Sequence, residues 1–387
     1  MKKSLAPDKI RLLDLSDVNN ENYGTELDNR HPLKAAVSIN FDGGEIGQSN
    51  RQISVTATAP LAKTSGKYKP SFPSSSSSSS SSSLHDPYSN VTKIKILTWN
   101  IGLLEYNICG CIPVFSNPPY MQERLPFIPE AIRKIGADVV ALQECYSLKD
   151  AKFIASKLED LYPYYSRHGT GTCLKFSNGL LIMSRWPITS SYLDKFKRVS
   201  TMENWLATKS ILTCCLKVPN AGDISFVNIH TTAGGESCDP EHPDADMDRE
   251  NELEQAIECV KHAALQGGEG VIVGDFNCGP ESSRTNFEFL LNQGFRDTFL
   301  EAVAIDALKS PLLTHTWDPD NMLNQVGPHA NTPKQRIDHV MMPNNEFWQN
   351  WKTQSAEVVF TEEVVYINAS VRSTISDHFG LVIELAK

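Results

Sequence analysis

The run Val139-Val140-Ala141-Leu142-Gln143-Glu144 is apolar until its last two residues. A carboxylate at the end of a buried strand is costly unless it is paired or holds a cation. Oxygen ligands suit Mg²⁺, with Mn²⁺ as a substitute, and Mg²⁺ commonly takes one or two carboxylates and keeps several waters. Glu144 can therefore anchor a metal; a salt-bridged strand end is the alternative. At residues 96–100 an apolar run closes on Asn100, whose amide orients a carboxylate or a phosphate oxygen, or caps a turn. In Val271-Ile272-Val273-Gly274-Asp275-Phe276-Asn277, Asp275 and Asn277 are two apart, which in extended chain sets a carboxylate and an amide on one face. There Gly274 leaves room for a ligand and Phe276 turns into packing, unless the segment is a plain Asp-Asn turn. Phe226-Val227-Asn228-Ile229-His230 ends on a group that titrates near neutrality, so His230 fits a proton donor or phosphate ligand, or a hydrogen-bonded structural histidine. Arg336-Ile337-Asp338-His339 reads as a strand carrying an aspartate, and Ser376-Asp377-His378 precedes the last strand or forms a turn before it. An aspartate paired to a histidine fixes its tautomer and raises its basicity. Strand alternation turns His339 away from Asp338, which gives it a structural role.

These residues need a scaffold, and from Lys93 onward short β-rich runs alternate with helical stretches, as in α/β and α+β domains. Strands are predicted at 94–99, 138–143, 180–184, 210–216, 224–230, 271–276, 336–341, 357–361 and 380–385. Helices are predicted at 121–135, 148–161, 246–264 and 284–293; in the third, Leu253, Ala256, Ile257 and Val260 recur at helical spacing. Residues 1–90 differ in character and end in an unbroken serine run from Ser74 to Ser83, which cannot build a core. Two regions are expected: a disordered, low-complexity segment over 1–90 and one folded domain over 91–387.

Of 387 residues 40% are apolar and 21% charged, which excludes a fibrous or wholly disordered chain. Acidic residues outnumber basic ones 46 to 36, and residues 1–90 hold 9 and 10 of them, so residues 91–387 hold 37 and 26, net −11. That balance weighs against a protein that works by neutralising nucleic-acid phosphates. The nine cysteines form no disulfide framework or C-x-x-C pattern, and the close pairs Cys109/Cys111 and Cys214/Cys215 read as packing residues in a reducing compartment. Neither a Sec-type leader nor a transmembrane segment is expected, so location is cytoplasmic or reached by a non-Sec route, and the chain is expected to be a monomer.

In order, Trp99-Asn100, Gln143-Glu144, Ser184-Arg185-Trp186-Pro187-Ile188, His230, Gly274-Asp275-Phe276-Asn277, Arg336-Ile337-Asp338 and Ser376-Asp377-His378 resemble the endonuclease/exonuclease/phosphatase superfamily, over Lys93 to Lys387. The resemblance implies an α+β fold, a four-layer αββα sandwich of two packed mixed β-sheets with helices outside, and a Mg²⁺-dependent hydrolase site at one end of the sheets. By position it implies Glu144 as principal metal ligand, with Asn100 beside it in the metal and phosphate shell and Asp377 supporting the metal site. Asp275 and Asn277 would place the attacking water and a phosphoryl oxygen. His378 would be the general base, oriented by Asp338, and His230 would contact the phosphate and protonate the leaving oxygen.

The Arg-Ile-Asp and Ser-Asp-His elements and the histidine strand are most similar to the neutral sphingomyelinase-like branch. That similarity implies a phospholipase C type phosphodiesterase acting on sphingomyelin or a related choline lipid, with a peripheral membrane lipid as partner. A nuclease cleaving DNA or RNA and a phosphatase of inositol phosphates or other small phosphoesters are the alternatives. Inositol 5-phosphatases usually carry a tryptophan-cysteine-aspartate-arginine signature where this chain has Lys334-Gln335-Arg336-Ile337-Asp338. Residues 236–258 hold ten carboxylates against Arg249 alone, which at a site entrance would repel a polyanion and otherwise forms a solvated helix face. The apolar insertion over 103–120 would touch lipid, shield the cleft, or pack as a loop.

Overall fold

The computed structural model describes residues 91–108, 112–169, 171, 175–306, 314–325 and 329–387. The segment 1–90 and the pair Cys109/Cys111 lie outside them. Two six-stranded mixed sheets are stacked. One runs in the order β13 (Lys352–Val359), β16 (Gly380–Ala386), β1 (Lys93–Leu103), β4 (Val139–Cys145), β6 (Leu181–Ser184), β5 (Tyr164–Ser166). The other runs β11 (Phe295–Asp297), β12 (Asp338–Pro343), β10 (Glu269–Asp275), β9 (Gly222–His230), β8 (Ser210–Val218), β7 (Ile188–Lys195). Two separate strand pairs join β2 (Glu105–Ile108) to β3 (Ile112–Ser116) and β14 (Val365–Tyr366) to β15 (Arg372–Ser373). Short helices α1 (Met121–Arg124), α4 (Thr201–Leu206), α7 (Thr298–Asp306) and α8 (Glu346–Gln349) lie in the connections.

Three apolar layers make this an α+β sandwich of four layers. Between the sheets lie Ile94, Ile96, Val139, Ala141, Leu212, Phe226, Val271, Val273, Val340 and Ile383, all buried. Outside the first sheet, Leu97, Trp99, Val140 and Leu142 meet α2 (Phe127–Ile135) and α3 (Leu148–Lys157) through Ile128, Ile132, Ile154 and Leu158. Outside the second, Val227, Ile229 and Ile272 meet α5 (Pro243–Leu265) and α6 (Arg284–Asn292) through Leu253, Ile257, Phe287 and Leu290. Each such side chain contributes roughly 1.5–3 kcal/mol on burial, so strand register is strongly specified.

That register also places the polar residues. Side chains alternate along a strand, so the inward series of β1, Ile94 and Ile96, continues to Thr98 and Asn100. The inward series of β4 reaches Gln143, that of β9 reaches Asn228 and His230, that of β10 reaches Asp275, and that of β12, read backwards from Met342 and Val340, reaches Asp338. At one end of the sandwich the inner layer therefore changes from aliphatic to polar. Gln143 Nε2 donates to Asn228 Oδ1 at 2.8 Å, joining the two sheets just beneath that end.

Several predicted boundaries shift for local reasons. The single helix predicted over 121–135 breaks at Leu125-Pro126 into α1 and α2, since proline lacks the N–H and clashes with the preceding turn. The strand predicted over 336–341 begins only at Asp338, and the one over 271–276 stops at Asp275. The edge strands β5, β7 and β11 carried no clear apolar alternation and went unpredicted; β7 is largely half-buried or exposed.

Candidate active site

Asn100 lies at the centre of the polar end. Its Nδ2 donates to Glu144 Oε1 at 3.1 Å and to Asp275 Oδ2 at 3.0 Å, so one amide bridges a carboxylate of each sheet. Its Oδ1 accepts from Gly102 N at 3.0 Å, which settles the amide's orientation: the nitrogen must face the acids. Glu144 departs from strand geometry, with φ 59°, where the pairing of β1 with β4 slips between Asn100 and Leu103. Asn277 also has a positive φ, 46°. Non-glycine residues held there are strained by of order 1–3 kcal/mol and persist only where their surroundings fix them.

Across from this group, His378 Nδ1 and Asp338 Oδ2 are 3.0 Å apart, and the ring lies edge-on to Trp317 with centroids 5.0 Å apart. The Nε2 atoms of His378 and His230 are each 3.7 Å from Asp275 Oδ2, so Asp275 stands between two imidazoles. Asp377 Oδ1 accepts from Ser376 Oγ at 3.0 Å and borders the same cleft. The cleft has a volume of about 230 Å³, and Tyr146, Phe176, Lys209, Trp317 and His329 also line it.

The electrostatics follow from crowded carboxylates. Burial pushes Glu144 up to about 7, with the charge of Asp377 adding to it. Burial and then Asp338 push Asp275 up to about 6. For His378 burial pulls downward, but the charges of Asp338 and Asp275 prevail and hold it up to about 10. His230 moves the other way, well below the usual histidine value, through burial and then the positive charges of Lys209 and His378. The two imidazoles thus sit in opposite fields.

A divalent cation fits this donor set. No lysine or arginine pairs with Glu144 or Asp275 among the described residues, both acids are raised, and buried Asp338 Oδ1 has no hydrogen-bond partner. One ligand atom from each of Asp275, Asp338 and His378 lies within 4.8 Å of the others. Glu144 and Asp275 accept from the same Asn100 Nδ2, so the Glu144 carboxylate adjoins that trio, and Asn100 directs its nitrogen at both acids.

Other expectations come out differently. Gly274 leaves no room for a ligand: a Cβ there would run into the Ile229 carbonyl, so the glycine permits close strand packing. Asp275 and Asn277 do not share the face of an extended strand. Asn277 reaches the cleft through its left-handed turn, with Nδ2 donating to the Thr231 carbonyl at 2.9 Å. Phe276 is buried as expected, and His339 is structural, held between Arg336 Nη1 at 2.7 Å and the Cys278 carbonyl at 2.8 Å. Within the acidic stretch Arg249, Asp248 and Glu252 are buried and bonded, while Glu236, Asp239 and Asp244 are exposed. Of the apolar insertion, Leu104 and Asn117 line the cleft.

Several residues of the site were not apparent in the sequence. Lys209 Nζ donates to the Thr231 carbonyl at 2.6 Å and pairs with Glu203 at 3.0 Å. Glu203 Oε1 in turn accepts from Ala233, Gly234 and Gly235 N at 3.0, 3.3 and 2.9 Å, fixing the loop that follows His230. The only signal was Ser200-x-x-Glu203, which marks a helix start and nothing more. Fully buried Arg124 donates to the carbonyls of Gly102, Ile375 and Pro119 at 2.5, 2.8 and 2.9 Å, tying together the segments that carry Asn100 and Asp377.

Comparisons with known proteins bear on the fold and the family. The chain is 27% identical over 283 residues to inositol phosphosphingolipids phospholipase C of Schizosaccharomyces pombe, covering 68% of this chain and 63% of that protein. The Saccharomyces cerevisiae protein of the same name is 28% identical over 282 residues, and there the match spans 55% of its length. The chain thus spans less than two thirds of these curated relatives. Among solved structures, a Staphylococcus aureus beta toxin variant with bound magnesium ions superposes with a TM-score of 0.59 at 18% identity, covering 76% of this chain and 99% of that one. The endonuclease/exonuclease/phosphatase family profile matches residues 97–378, from the first inner strand to the histidine paired with Asp338, and the chain belongs to that family.

Proposed function

We propose that the chain is a Mg²⁺-dependent phosphodiesterase of the phospholipase C type, cleaving a sphingolipid between ceramide and phosphate and releasing the phosphorylated headgroup. The observation that carries this reading is the Asp338–His378 pair, 3.0 Å apart, facing the Asn100-bridged carboxylates Glu144 and Asp275 across one cleft. The relatives' names support a sphingolipid. For a choline headgroup the support is aromatic: Tyr146 and Phe176, with ring centroids 5.2 Å apart, and Trp317 line the cleft, and aromatic rings attract a quaternary ammonium.

When bound on Glu144 and Asp275, a divalent cation supplies neutralising charge to the phosphoryl oxygens and to the carboxylate field around His378. Asp338 holds Nδ1 of His378 so that Nε2 faces Asp275; the carboxylates keep this ring protonated at neutral pH, and it would take the proton of the attacking water once a bound cation offset their charge. His230, neutral for the reasons above, offers one N–H to a phosphoryl or leaving oxygen. Water oxygen bonds to phosphorus, the bond from phosphorus to the ceramide oxygen breaks, and the alkoxide departs as the alcohol. Asp377 and Asn277 line the approach.

The test offers the 387-residue chain sphingomyelin, an inositol phosphosphingolipid, supercoiled plasmid and inositol phosphates in parallel, with Mg²⁺ or with chelator. Expected is Mg²⁺-dependent release of a phosphorylated headgroup from a sphingolipid in detergent micelles, abolished by Glu144→Gln. Nicking of plasmid, or phosphate release from inositol phosphates, with no lipid turnover overturns the reading.

A further inference from the structure

Strands β7 and β8 are joined by residues 196–209, which carry helix α4 (Thr201–Leu206) at the edge of the cleft. One face of α4 is fixed, since Glu203 points inward to Lys209 and the 233–235 loop. Met202, Trp205 and Leu206, at helical spacing on the other side, are 38, 66 and 36% exposed. A tryptophan open to water to that degree is unusual, and Met202 and Leu206 also line the cleft, so the apolar surface runs into the site entrance. Basic residues flank it on one side within an acidic domain. Lys175 Nζ donates to Asn204 Oδ1 on α4 at 2.8 Å, and the charge of Lys195 is close enough, after burial, to lower the Lys175 pKa. Lys195 and Lys197, at the base of the connection, are exposed and make no ion pair among the described residues, whereas the neighbouring Arg198 pairs with Asp248 at 2.6 Å.

We propose that α4 is the element that docks the cleft onto a lipid bilayer bearing anionic lipid, with Trp205 entering the interface and Lys175, Lys195 and Lys197 lying on the headgroups. This rests on the sphingolipid reading above, because a substrate held in a bilayer must be met where it lies. An amphipathic face with an aromatic residue and flanking lysines has the composition of an interfacial helix, and the lysines complement anionic headgroups. Exposed Glu236 lies on the turn Gly235–Ser237 that packs against α4, so Lys175, Lys195 and Lys197, rather than the whole rim, are assigned to the headgroups.

The molecule carries its own reporter. Of six tryptophans, Trp99, Trp186, Trp317, Trp348 and Trp351 are at most 9% exposed and only Trp317 of these lines the cleft, so an emission change that is lost in Trp205→Phe comes from Trp205. The 387-residue chain is titrated with phosphatidylcholine vesicles, with and without phosphatidylserine, and with brominated-lipid analogues of both. Expected are a blue shift and bromine quenching with phosphatidylserine present, both absent in Trp205→Phe. The pair Lys195→Ala/Lys197→Ala should weaken partitioning about twenty-five-fold, at roughly fivefold for each lysine removed. Trp205→Ala should lose vesicle hydrolysis by on the order of tenfold while hydrolysing lipid in detergent micelles normally. Vesicle hydrolysis with unshifted, unquenched emission overturns the docking proposal and leaves the sphingolipid reading standing. A quenched Trp205 with no lipid turnover in vesicles or micelles does the reverse. A blue shift that follows protein concentration without lipid assigns the patch to a second copy of the chain and overturns the proposal.

Discussion

Glu144→Gln separates stability from catalysis at the proposed metal ligand. Burial and the charge of Asp377 raise the Glu144 pKa from 4.5 to about 7, so between those values the folded protein binds more protons than the unfolded chain. Stability then falls as pH rises through this window: the penalty is absent below about 4.5 and complete above about 7. A shift of that size corresponds to about 3 kcal/mol, and because Glu144 is only half-buried the expected effect is reduced to ~1–2 kcal/mol. Glutamine keeps an oxygen for the Asn100 amide, which now donates at 3.1 Å, and removes the charge. In chelator at pH 8 the variant should be more stable than the parent by that amount, roughly 2–4 °C in Tm, and at pH 4.5 equal to it. With Mg²⁺ the order reverses, because only the parent gains from metal binding. Thermal unfolding at both pH values, with chelator and with Mg²⁺, provides the readout. A variant destabilised equally at both pH values, or stabilised by Mg²⁺ as much as the parent, would refute the reasoning.

Asp338→Asn removes the charge that, against burial, holds His378 up; kcat/KM should drop by roughly 10²–10⁴, and the residual activity should extend to lower pH, which a pH–rate profile tests. Gly102→Ala puts a methyl group against the Asp377 carboxylate and 2.8 Å from Pro118 Cγ, at φ 53°; expected is a loss of about 1–2 kcal/mol from the backbone alone, measured by denaturant unfolding, with a fall in kcat. Lys209→Met leaves Glu203 buried without its cation and should cost about 3–5 kcal/mol, whereas adding Glu203→Gln should restore most of it; a double variant no more stable than the single one contradicts the pairing.

What was legible in the sequence was whatever strand periodicity carries. The inward parity that places Ile94 and Ile96 in the core also delivers Asn100, and the same holds for His230 after Ile224 and Phe226, and for Asp275 after Val271 and Val273. A run of alternating apolar residues that ends on a polar one of the same parity therefore foretells both burial and convergence. What could not be read was the route by which left-handed backbone or loops bring a residue in, even where the sequence singles the residue out, as it does Glu144 and Asn277. Glu144 and Asn277 reach the site only because each adopts a positive φ, and Gly274 serves the neighbouring strand. Lys209, Glu203 and Arg124 act through contacts 22 to 251 residues away in sequence, or through pairs with no periodic signature.

This division has a mechanical consequence. Asn100, Asp275, Asp338 and His230 are extensions of the inner core, stiffened by the Gln143–Asn228 bond between the sheets, and close-packed interiors do not deform continuously. Their mutual distances are therefore set by the sandwich as a whole, and a substitution that loosens either sheet should disturb them together. Tyr146, Phe176, Met202 and His329, by contrast, line the cleft from connections outside the inner layer. Exposed side chains on those connections, Met202 among them, can change without moving Asp275 relative to His378. Bilayer contact should consequently transfer with the exposed residues of α4, Met202, Trp205 and Leu206, whereas residues 317–335 cannot be exchanged without disturbing the Asp338–His378 pair, because Trp317 packs edge-on against His378 and Asn321 and Asn324 donate to the carbonyls of Ser376 and Asp377.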